Sequence, residues 1–288
     1  KGDELGMISD MIVGTGWPFG GKFLADEETI QGHDLYTEKI EGPIAYTFNT
    51  SNLKEGAVIK QAQLVPVPVS NEDEITDITA EIQNGNVSVP AGNFEILVIS
   101  WRNKFREVMH GAPGGDGPVL DHFNKTAVEK YLERTSDGLK PVFGENLGNH
   151  IRSMFCDSIE LSGANWTGDF REEFEKRNDY DVWEFLPLVM NPDIDATGDF
   201  ADTLLRVRYD FYSTLSEIFM ERFIDTFHEW CQKIGVKSRY QAYGHPWVPT
   251  DLLDGNLVPD IPEGDQWLFN GGWTATQLDQ IRYAIWDK

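Results

Sequence analysis

Basic residues are scarce in this sequence of 288 residues: 24 lysines and arginines stand against 48 aspartates and glutamates, a formal net charge of −24. Nucleic-acid affinity comes largely from basic side chains that neutralise phosphates, so we expect no nucleic acid partner. Anionic membrane surfaces are disfavoured by the same sign of charge. Neutral ligands and cations remain, and hard cations such as calcium suit an excess of carboxylates.

Several features of common protein classes are also missing. The two cysteines, Cys156 and Cys231, lie in apolar stretches, which predicts buried thiols rather than a disulfide framework. The chain has no His-x-x-x-His pair, no Cys-x-x-Cys, no Gly-x-Ser-x-Gly and no phosphate-binding loop. Its apolar runs are far shorter than the roughly 20 residues of a membrane-spanning helix, so we expect no membrane insertion. No obligate protein partner is evident either.

Three short apolar stretches predict buried strands, and each leads into a loop of glycine, proline or polar residues. They cover residues 7–13, 151–157 and 238–243, with helical patterns between them. This alternation favours a parallel α/β architecture, and we expect a (β/α)8 TIM-type barrel that is only partly present in this chain. A doubly wound open sheet is the alternative. In a barrel the chemistry lies on the loops after the strands.

Residues 36–101 have a different character, with alternating or β-branched apolar residues between turn signals. They predict an antiparallel β insertion, with residues 75–82 as one strand and a hairpin turn at Asn84-Gly85-Asn86. The expected organisation is therefore a first barrel strand and glycine-rich loop in residues 1–35, the insertion in residues 36–101, and the rest of the α/β barrel portion in residues 102–288.

The helical part contains two patterns with specific expectations. Asn124 is a suitable N-cap for a helix that begins with the next residues. A long helix is predicted over residues 202–234 from its apolar periodicity. The side chains expected on its buried face are Leu205, Tyr209, Tyr212, Leu215, Phe219, Phe223 and Phe227.

Two acidic loops are candidates for chemistry. Asp157 and Glu160 follow a predicted buried strand, where a helix-capping aspartate and a solvated glutamate are an equally good interpretation. The segment 258–267 contains three carboxylates, Asp260, Glu263 and Asp265, together with two prolines that restrict the backbone, and it ends at Trp267. An acidic surface turn would have the same composition. Paired carboxylates are the minimum equipment for glycoside hydrolysis.

Aromatic and histidine side chains add to this hypothesis. Flat aromatic faces pack against the C–H side of sugars, and the tryptophans in predicted loops or at strand ends are Trp17, Trp101, Trp166, Trp247, Trp267 and Trp273. Each one alone is more often a core residue. His122 and His245 are candidate sugar ligands, and a structural histidine beside Asp121 is the other interpretation of His122.

Five segments, in order along nearly the whole chain, carry a more specific resemblance. They are 14–21 (GTGWPFGG), 117–123 (GPVLDHF), 156–160 (CDSIE), 166–187, and 260–264 (DIPEG). Together they resemble the glycoside hydrolase family 106 α-L-rhamnosidases. The resemblance implies a (β/α)8 catalytic domain in a larger bacterial, secreted or periplasmic enzyme. Such an enzyme releases terminal α-L-rhamnose from plant-type glycans or rhamnosides with inversion, using a calcium ion at the sugar.

By this resemblance Glu160 matches the general acid, while Asp157 and Glu263 match acidic residues at the calcium ion or the catalytic centre. Glu263 is the best candidate for the catalytic base within the chain. Trp17, His122, His245 and Trp267 are the candidate sugar contacts. The resemblance also implies that a first barrel strand precedes Lys1 and that a second catalytic carboxylate follows Lys288. A non-catalytic carbohydrate-binding fragment, or a barrel glycosidase for another sugar, are the alternatives.

Overall fold

The computed structural model describes residues 2–14, 16–242 and 252–264. Its strands are β1 (Asp10–Ile12), β2 (Gln31–Thr47), β3 (Val58–Pro66), β4 (Thr76–Asp77), β5 (Asn86–Asn103), β6 (Ser153–Cys156), β7 (Lys237–Tyr240) and β8 (Ile261–Pro262). Its helices are α1 (Thr79–Gln83), α2 (Lys125–Phe143), α3 (Phe170–Asn178), α4 (Leu186–Met190), α5 (Gly198–Phe219), α6 (Asp225–Lys233) and α7 (Leu252–Leu257). Short 3-10 turns lie at Asp3–Leu5, Asp26–Glu28, Thr50–Asn52, Glu72–Glu74 and Leu147–Asn149.

The chain divides into two compact units. The first comprises Lys1–Ile30, Lys104–Thr167 and Leu215–Lys288, and the second comprises Gln31–Asn103 and Gly168–Thr214. Residues 168–214, which the sequence pattern grouped with the barrel portion, thus pack with the antiparallel sheet. The reason is that they supply apolar side chains to one face of that sheet.

A parallel sheet of four strands forms the centre of the first unit, in the order β1-β6-β7-β8. This order follows the chain without reversal, as in successive strands of a barrel, whereas a doubly wound sheet reverses its order at a switch point. The three predicted strands are confirmed, and β8 within the acidic segment 258–267 is an addition. The described residues form four parallel strands, and they do not close a barrel.

The two faces of this parallel sheet differ. Cys156 and Tyr240 are buried, and Tyr240 packs against Phe223 and Phe227 of the long helical segment. On the other face, Ile12 is 56% exposed and Arg239 lies over the ring of Phe155. Because side chains alternate along a strand, the helices cover one face, and the second face carries the charged side chains described below.

The second unit is built on an antiparallel sheet in the order β2-β5-β3-β4. Leu35 pairs with Ile99, and Gln63 pairs with both Leu97 and Asp77. Apolar clusters form on both sides of the sheet. One contains Phe48, Ala62, Leu64, Ile78, Ile82, Val87, Val89, Ile96 and Val98, and the other contains Val65, Val69, Leu97, Leu188, Phe200 and Leu204.

Part of the predicted insertion has a different local structure. Residues 75–82 were expected to be a strand, but they form the two-residue β4 and the helix α1. Thr79 explains the change, since its hydroxyl accepts from the amide of Ala62 and its own amide donates to Asp77. Gly85, at a φ of 87°, then links α1 to β5 rather than joining two strands.

The predicted long helix is present. Four of the seven side chains expected on its buried face are buried (Leu215, Phe219, Phe223 and Phe227), but the three that precede them are exposed. α5, a π-helical turn at Met220–Ile224 and α6 follow without interruption. Leu204 is 1% exposed, whereas Leu205, Tyr209 and Tyr212 are 61%, 73% and 51% exposed. The stripe that contains Leu204 and the stripe that contains Leu205, Tyr209 and Tyr212 both have helical spacing. Periodicity alone could therefore not select the buried one in this part of the helix. No described helix is both long and apolar enough to cross a membrane.

Candidate active site at the parallel strand ends

Trp17 and Glu160 are brought together at the carboxyl ends of β1 and β6. The indole Nε1 of Trp17 donates to the carbonyl oxygen of Ser158. The hydroxyl of Ser158 in turn donates to Oε1 of Glu160 over 3.2 Å. Ser158 is fully buried, while Trp17 and Glu160 are half-buried. A carboxyl group held beside an aromatic ring at the rim of a parallel sheet is thus accessible to a ligand and fixed in place.

Arg106 joins the same two residues from a third segment of the chain. Its guanidinium donates to the carbonyl oxygen of Glu160, and its Cζ lies 5.4 Å from the centre of the Trp17 ring. Burial lowers the pKa of Arg106, and the negative charge of Glu160 opposes this change. Sequence reasoning missed the roles of Arg106 and Ser158. Arg106 belongs to no motif, and although Ser158 lies in the segment 156–160, only the fold gives it contacts with Trp17 and Glu160.

The glycine-rich segment after β1 has a packing role in this arrangement. A Cβ atom at Gly20 would lie 2.3 Å from the carbonyl oxygen of Pro118, and one at Gly16 would lie 2.2 Å from Val108. Isolated bridges pair Gly20 with Val119 and Trp17 with Met109. The glycines therefore let this loop pack against residues 108–119, and that packing positions Trp17.

Asp157 lies at the same strand end and is half-buried. Its Oδ1 accepts from the amide of Ser158 over 2.8 Å. This contact orients the carboxylate relative to the loop that carries Glu160.

Glu263 follows β8 and belongs to a network of charges across the open face of the sheet. Arg239 donates from Nε to Oε2 of Glu263 over 2.6 Å, and from a terminal nitrogen to Oδ2 of Asp10 over 3.2 Å. Arg152 also binds Asp10, and its hydrogen bond is the main reason why the pKa of Asp10 falls to about 2. The network connects Asp10 of β1 and Arg239 of β7 with Arg152, which precedes β6, and with Glu263. Sequence reasoning missed the two arginines.

Asp260, grouped by sequence with the acidic centre, is bound within the sheet instead. Its Oδ2 accepts from the amide of Ser238 over 2.9 Å and from the Ser238 hydroxyl over 3.1 Å. The hydroxyl also lies 2.7 Å from Nδ1 of His228. Ser238 is fully buried, so this cluster fixes β8 against β7.

His122 is placed in the interior of the first unit. It is 0% exposed, packs against Phe19 and Phe223, and has Nδ1 2.8 Å from the carbonyl oxygen of Leu120. Burial lowers its pKa to about 3. Sugar contact by His122 has no support in this placement, which agrees with the structural role that the sequence also allowed. The helix N-cap is Asn124, as predicted.

Other predicted site residues have different outcomes. Trp166 is 8% exposed, which suits a core residue. His245, Trp247, Asp265, Trp267 and Trp273 lie outside the described residues. Both cysteines are buried free thiols, as predicted.

The described residues do not by themselves make a calcium site. Calcium takes six to eight oxygen ligands, and no group of three or more acidic, histidine or cysteine side chains that could hold a metal comes together in residues 2–14, 16–242 and 252–264. Asp157 is turned toward a backbone amide, and Glu263 is paired with Arg239. These two carboxylates would need further ligands.

Comparison with known proteins assigns this arrangement to a class and then to a family. A solved structure, the rhamnosidase from Novosphingobium sp. PP1Y, is similar in fold with a TM-score of 0.50 and 21% identity, over 70% of this chain and 20% of that one. The family model for alpha-L-rhamnosidase matches residues 31–284. Because this model matches most of the chain, it places the chain among the glycoside hydrolase families. The chain belongs to glycoside hydrolase family 106.

A curated relative is also similar. The "Putative beta-glucuronidase" of Formosa agariphila is 27% identical over 212 residues, which cover 71% of this chain. The chain spans 17% of that relative and 20% of the solved rhamnosidase. It therefore corresponds to about a fifth of the length of either protein.

Proposed function

We propose that this chain contributes the general acid of an inverting α-L-rhamnosidase that releases terminal rhamnose from plant-type glycans or rhamnosides. Glu160 is the proton donor to the glycosidic oxygen. The observation that carries the proposal is the contact series from Trp17 through Ser158 to Glu160, with Arg106 bound to both ends of it. A proton donor must be held within hydrogen-bond reach of the leaving oxygen, and a sugar ring needs an apolar surface beside it.

Glu263 is the candidate for the base that activates water. It lies beyond β8, two strands away from β6, and neighbouring strands stand about 4.8 Å apart. Inverting enzymes separate their two carboxyl groups by roughly 6.5 to 9.5 Å to admit the water, so a two-strand separation suits this chemistry. Arg239 holds Oε2 of Glu263, and Oε1 is outside that contact. A carboxylate outside residues 1–288 is the alternative base.

A neutral deoxy sugar suits the described charges better than a uronic acid. Binding of a sugar carboxylate requires a cation, and the two arginines at this rim already bind acceptors. Arg106 donates to the Glu160 carbonyl, and Arg239 binds both Glu263 and Asp10. This is the reason to prefer a rhamnoside over a glucuronide, the substrate class in the name of the curated relative.

The sheet supports the further proposal of a (β/α)8 barrel. Among the described strands β1 pairs with β6 alone, and a cavity of about 900 Å³ lies beside it, lined by residues such as Met11, Ile12 and Tyr131. An added parallel strand would occupy this space. An experimental structure of the whole protein in which no strand joins β1 would contradict the barrel.

Calcium and the cellular location are proposals that follow from the family resemblance. Metal-free protein, prepared with EGTA, is expected to lose rhamnosidase activity and regain it with added calcium. Full activity after EGTA treatment removes the ion from the reaction. Secretion or periplasmic transport is tested by assaying the enzyme in the medium and periplasmic fraction of its source.

The test of the reaction is hydrolysis of 4-nitrophenyl α-L-rhamnopyranoside compared with 4-nitrophenyl β-D-glucuronide. We expect release from the rhamnoside, and proton NMR should detect β-rhamnose before it equilibrates if the reaction inverts. Glu160→Gln should lower kcat by about 10² to 10⁴. The loss should be smaller with a 2,4-dinitrophenyl leaving group, which needs less protonation. A base variant such as Glu263→Gln should show no such dependence on the leaving group.

The matched control is Glu81→Gln, an equal change of charge on the exposed surface of α1. It should retain the activity of the parent protein. Unchanged turnover of Glu160→Gln on the nitrophenyl rhamnoside would remove Glu160 from the reaction. Saccharide binding without release by the parent protein would favour the non-catalytic interpretation, and preferred cleavage of another glycoside would replace rhamnose as the substrate.

A further inference from the structure

Met109 is a large apolar side chain that stays exposed near the candidate proton donor. It is 40% exposed and lies in the loop that follows Arg106. Methionine is among the residues that are most often buried, although a single exposed one needs no explanation on its own. The position of Met109 beside Trp17 gives its exposure a meaning.

Trp17 and Met109 face each other across two backbone hydrogen bonds. The amide of Trp17 donates to the carbonyl oxygen of Met109 over 2.9 Å, and the amide of Met109 donates to the carbonyl oxygen of Trp17 over 2.7 Å. Two residues that exchange both bonds in an antiparallel pair have Cα atoms about 5.5 Å apart and side chains on the same face. The Met109 side chain therefore leaves its loop beside the Trp17 ring and in the same direction.

The backbone of Met109 is held by close packing against the glycine-rich loop. A Cβ atom at Gly16 would lie 3.1 Å from the carbonyl oxygen of Met109 and 2.2 Å from Val108. The side chain, in contrast, is unbranched and has three rotatable bonds, so it can adapt to the shape of a ligand. Met109 thus offers an apolar contact whose origin is fixed and whose tip is adjustable.

The Trp17 ring separates Met109 from Glu160. Met109 lies at the backbone end of the ring, while Nε1 at the other end donates to the carbonyl oxygen of Ser158, whose hydroxyl donates to Oε1 of Glu160 over 3.2 Å. An indole is comparable in length with a pyranose ring. Because a proton donor must reach the glycosidic oxygen on C1 of the sugar, the far side of the sugar, with C4, C5 and the substituent on C5, falls toward Met109.

Contact at Met109 does not require the sugar to displace Arg106. The Arg106 guanidinium lies over one face of the Trp17 ring, with its Cζ 5.4 Å from the ring centre, whereas Met109 lies beside the ring in the backbone pair. A thioether suits a methyl group as its neighbour. A hydroxyl in the same place would lose its hydrogen bonds with water without gaining a good acceptor.

We propose that Met109 recognises the methyl group on C5 of a 6-deoxy sugar, and that it thereby selects a rhamnoside over the corresponding L-mannoside, which differs by one added hydroxyl. The proposal rests on the proposed function, which supplies the sugar and the position of Glu160. Met109 acts on substrate specificity and takes no part in proton transfer.

The kinetic experiment compares three nitrophenyl glycosides that share the ring stereochemistry of rhamnose. The α-L-rhamnopyranoside has a methyl group on C5, the α-L-mannopyranoside has a hydroxymethyl group, and the α-L-lyxopyranoside has only hydrogen. We expect kcat/KM of the parent protein to be about 10- to 100-fold higher for the rhamnoside than for either analogue.

Three variants of Met109 test the contact. Met109→Gln keeps the length of the side chain and adds an amide that can bond to a hydroxyl, so it should lower the rhamnoside-to-mannoside ratio of kcat/KM by about 5- to 20-fold. Met109→Leu should retain most of the ratio. Met109→Ala should lower kcat/KM for the rhamnoside and leave that for the lyxoside nearly unchanged. Met7→Gln, the same change at a methionine that is 61% exposed and outside the Trp17 pair, is the control and should keep the parent ratio.

Binding is measured independently of turnover. The methionine ε-methyl groups are labelled with carbon-13, and the Met109 signal is identified as the one that is missing in Met109→Leu. Methyl α-L-rhamnopyranoside and methyl α-L-lyxopyranoside are titrated into separate samples. We expect the rhamnoside to shift the Met109 signal in a saturable way and the lyxoside to shift it much less.

The two readouts separate this proposal from the proposed function. Rhamnoside hydrolysis with the parent ratio in Met109→Gln refutes the role of Met109 and leaves the reaction standing. A saturable Met109 shift in a protein without rhamnosidase activity supports the contact and refutes the reaction. An unshifted Met109 signal at saturating rhamnoside, or equal shifts by rhamnoside and lyxoside, overturns the proposal. If Met109→Ala does not fold, Met109→Gln and the titration of the parent protein decide.

Discussion

Arg106 stacks over the ring of Trp17, with its Cζ 5.4 Å from the ring centre, and the same guanidinium binds the carbonyl oxygen of Glu160. One planar cation thus connects the candidate sugar platform with the candidate proton donor. Arginine suits this role because it can stack and donate at the same time, which the ammonium group of lysine does poorly.

Arg106→Lys is therefore expected to lower kcat on the nitrophenyl rhamnoside by about 10- to 100-fold, since a displaced acid loses its alignment with the leaving oxygen. KM should change less than kcat. The measurement is steady-state kinetics over a range of pH. The control is Arg134→Lys, whose Cζ lies 4.2 Å from the ring centre of Phe23 and away from Glu160. Equal losses for both variants would mean that Arg106 has only a general structural role.

Asp10 makes a pH-dependent contribution to stability. Arg152 and Arg239 bind its carboxylate, and its pKa falls from 3.8 to about 2. A lowered pKa stabilises the fold above the ordinary value, and this part is lost as the pH falls from about 4 toward 2. Asp10→Asn should lower the melting temperature at pH 7 and flatten its decline over that interval. Asp137→Asn, an exposed partner of Lys140, should leave the curve nearly unchanged.

The two apolar stripes of α5 give a direct comparison between neighbours. Leu204 is 1% exposed and belongs to an apolar cluster of the second unit, whereas Leu205 is 61% exposed. Leu204→Ala should reduce the free energy of unfolding by about 2 to 5 kcal/mol, and Leu205→Ala by less than about 0.5 kcal/mol. Urea denaturation measures both. A larger effect at Leu205 would show that its stripe is covered in the protein in solution.

The contacts of Ser238 predict that removal of its hydroxyl lowers the stability of the fold. The hydroxyl of Ser238 bonds to the carboxylate and the amide of Asp260 and lies 2.7 Å from Nδ1 of His228. Ser238 is fully buried. Ser238→Ala should reduce stability by about 1 to 3 kcal/mol, because a partner is left unpaired. Thr203→Ala removes an exposed hydroxyl contact on α5 and should have little effect. Equal stability of the two variants in urea would contradict the structural role of this cluster.

The two acidic loops show which parts of the candidate site residue patterns can predict. The loop of Asp157 and Glu160 follows a strand of the parallel sheet, as expected, because an apolar run that ends in a polar loop identifies such a strand. The segment 258–267 contains β8, which the residue pattern did not predict. The pattern did not separate Asp260, which is bound to Ser238, from Glu263, which faces Arg239. Those partners lie more than twenty residues away, and a distant partner leaves no trace in the local spacing.

Local sequence by itself determined the parallel strands, the N-cap at Asn124, the buried cysteines and the acidic excess that disfavours nucleic acid, because each depends on propensity, periodicity or charge count. Tertiary structure alone decided that Leu204 and not Leu205 is buried near the start of α5, that His122 is an interior residue, and that residues 168–214 pack on the antiparallel sheet. It also brought Arg106 to Trp17 and Glu160. The physical reason is that burial and ion pairing depend on surfaces from distant segments, and these meet only when the chain has folded.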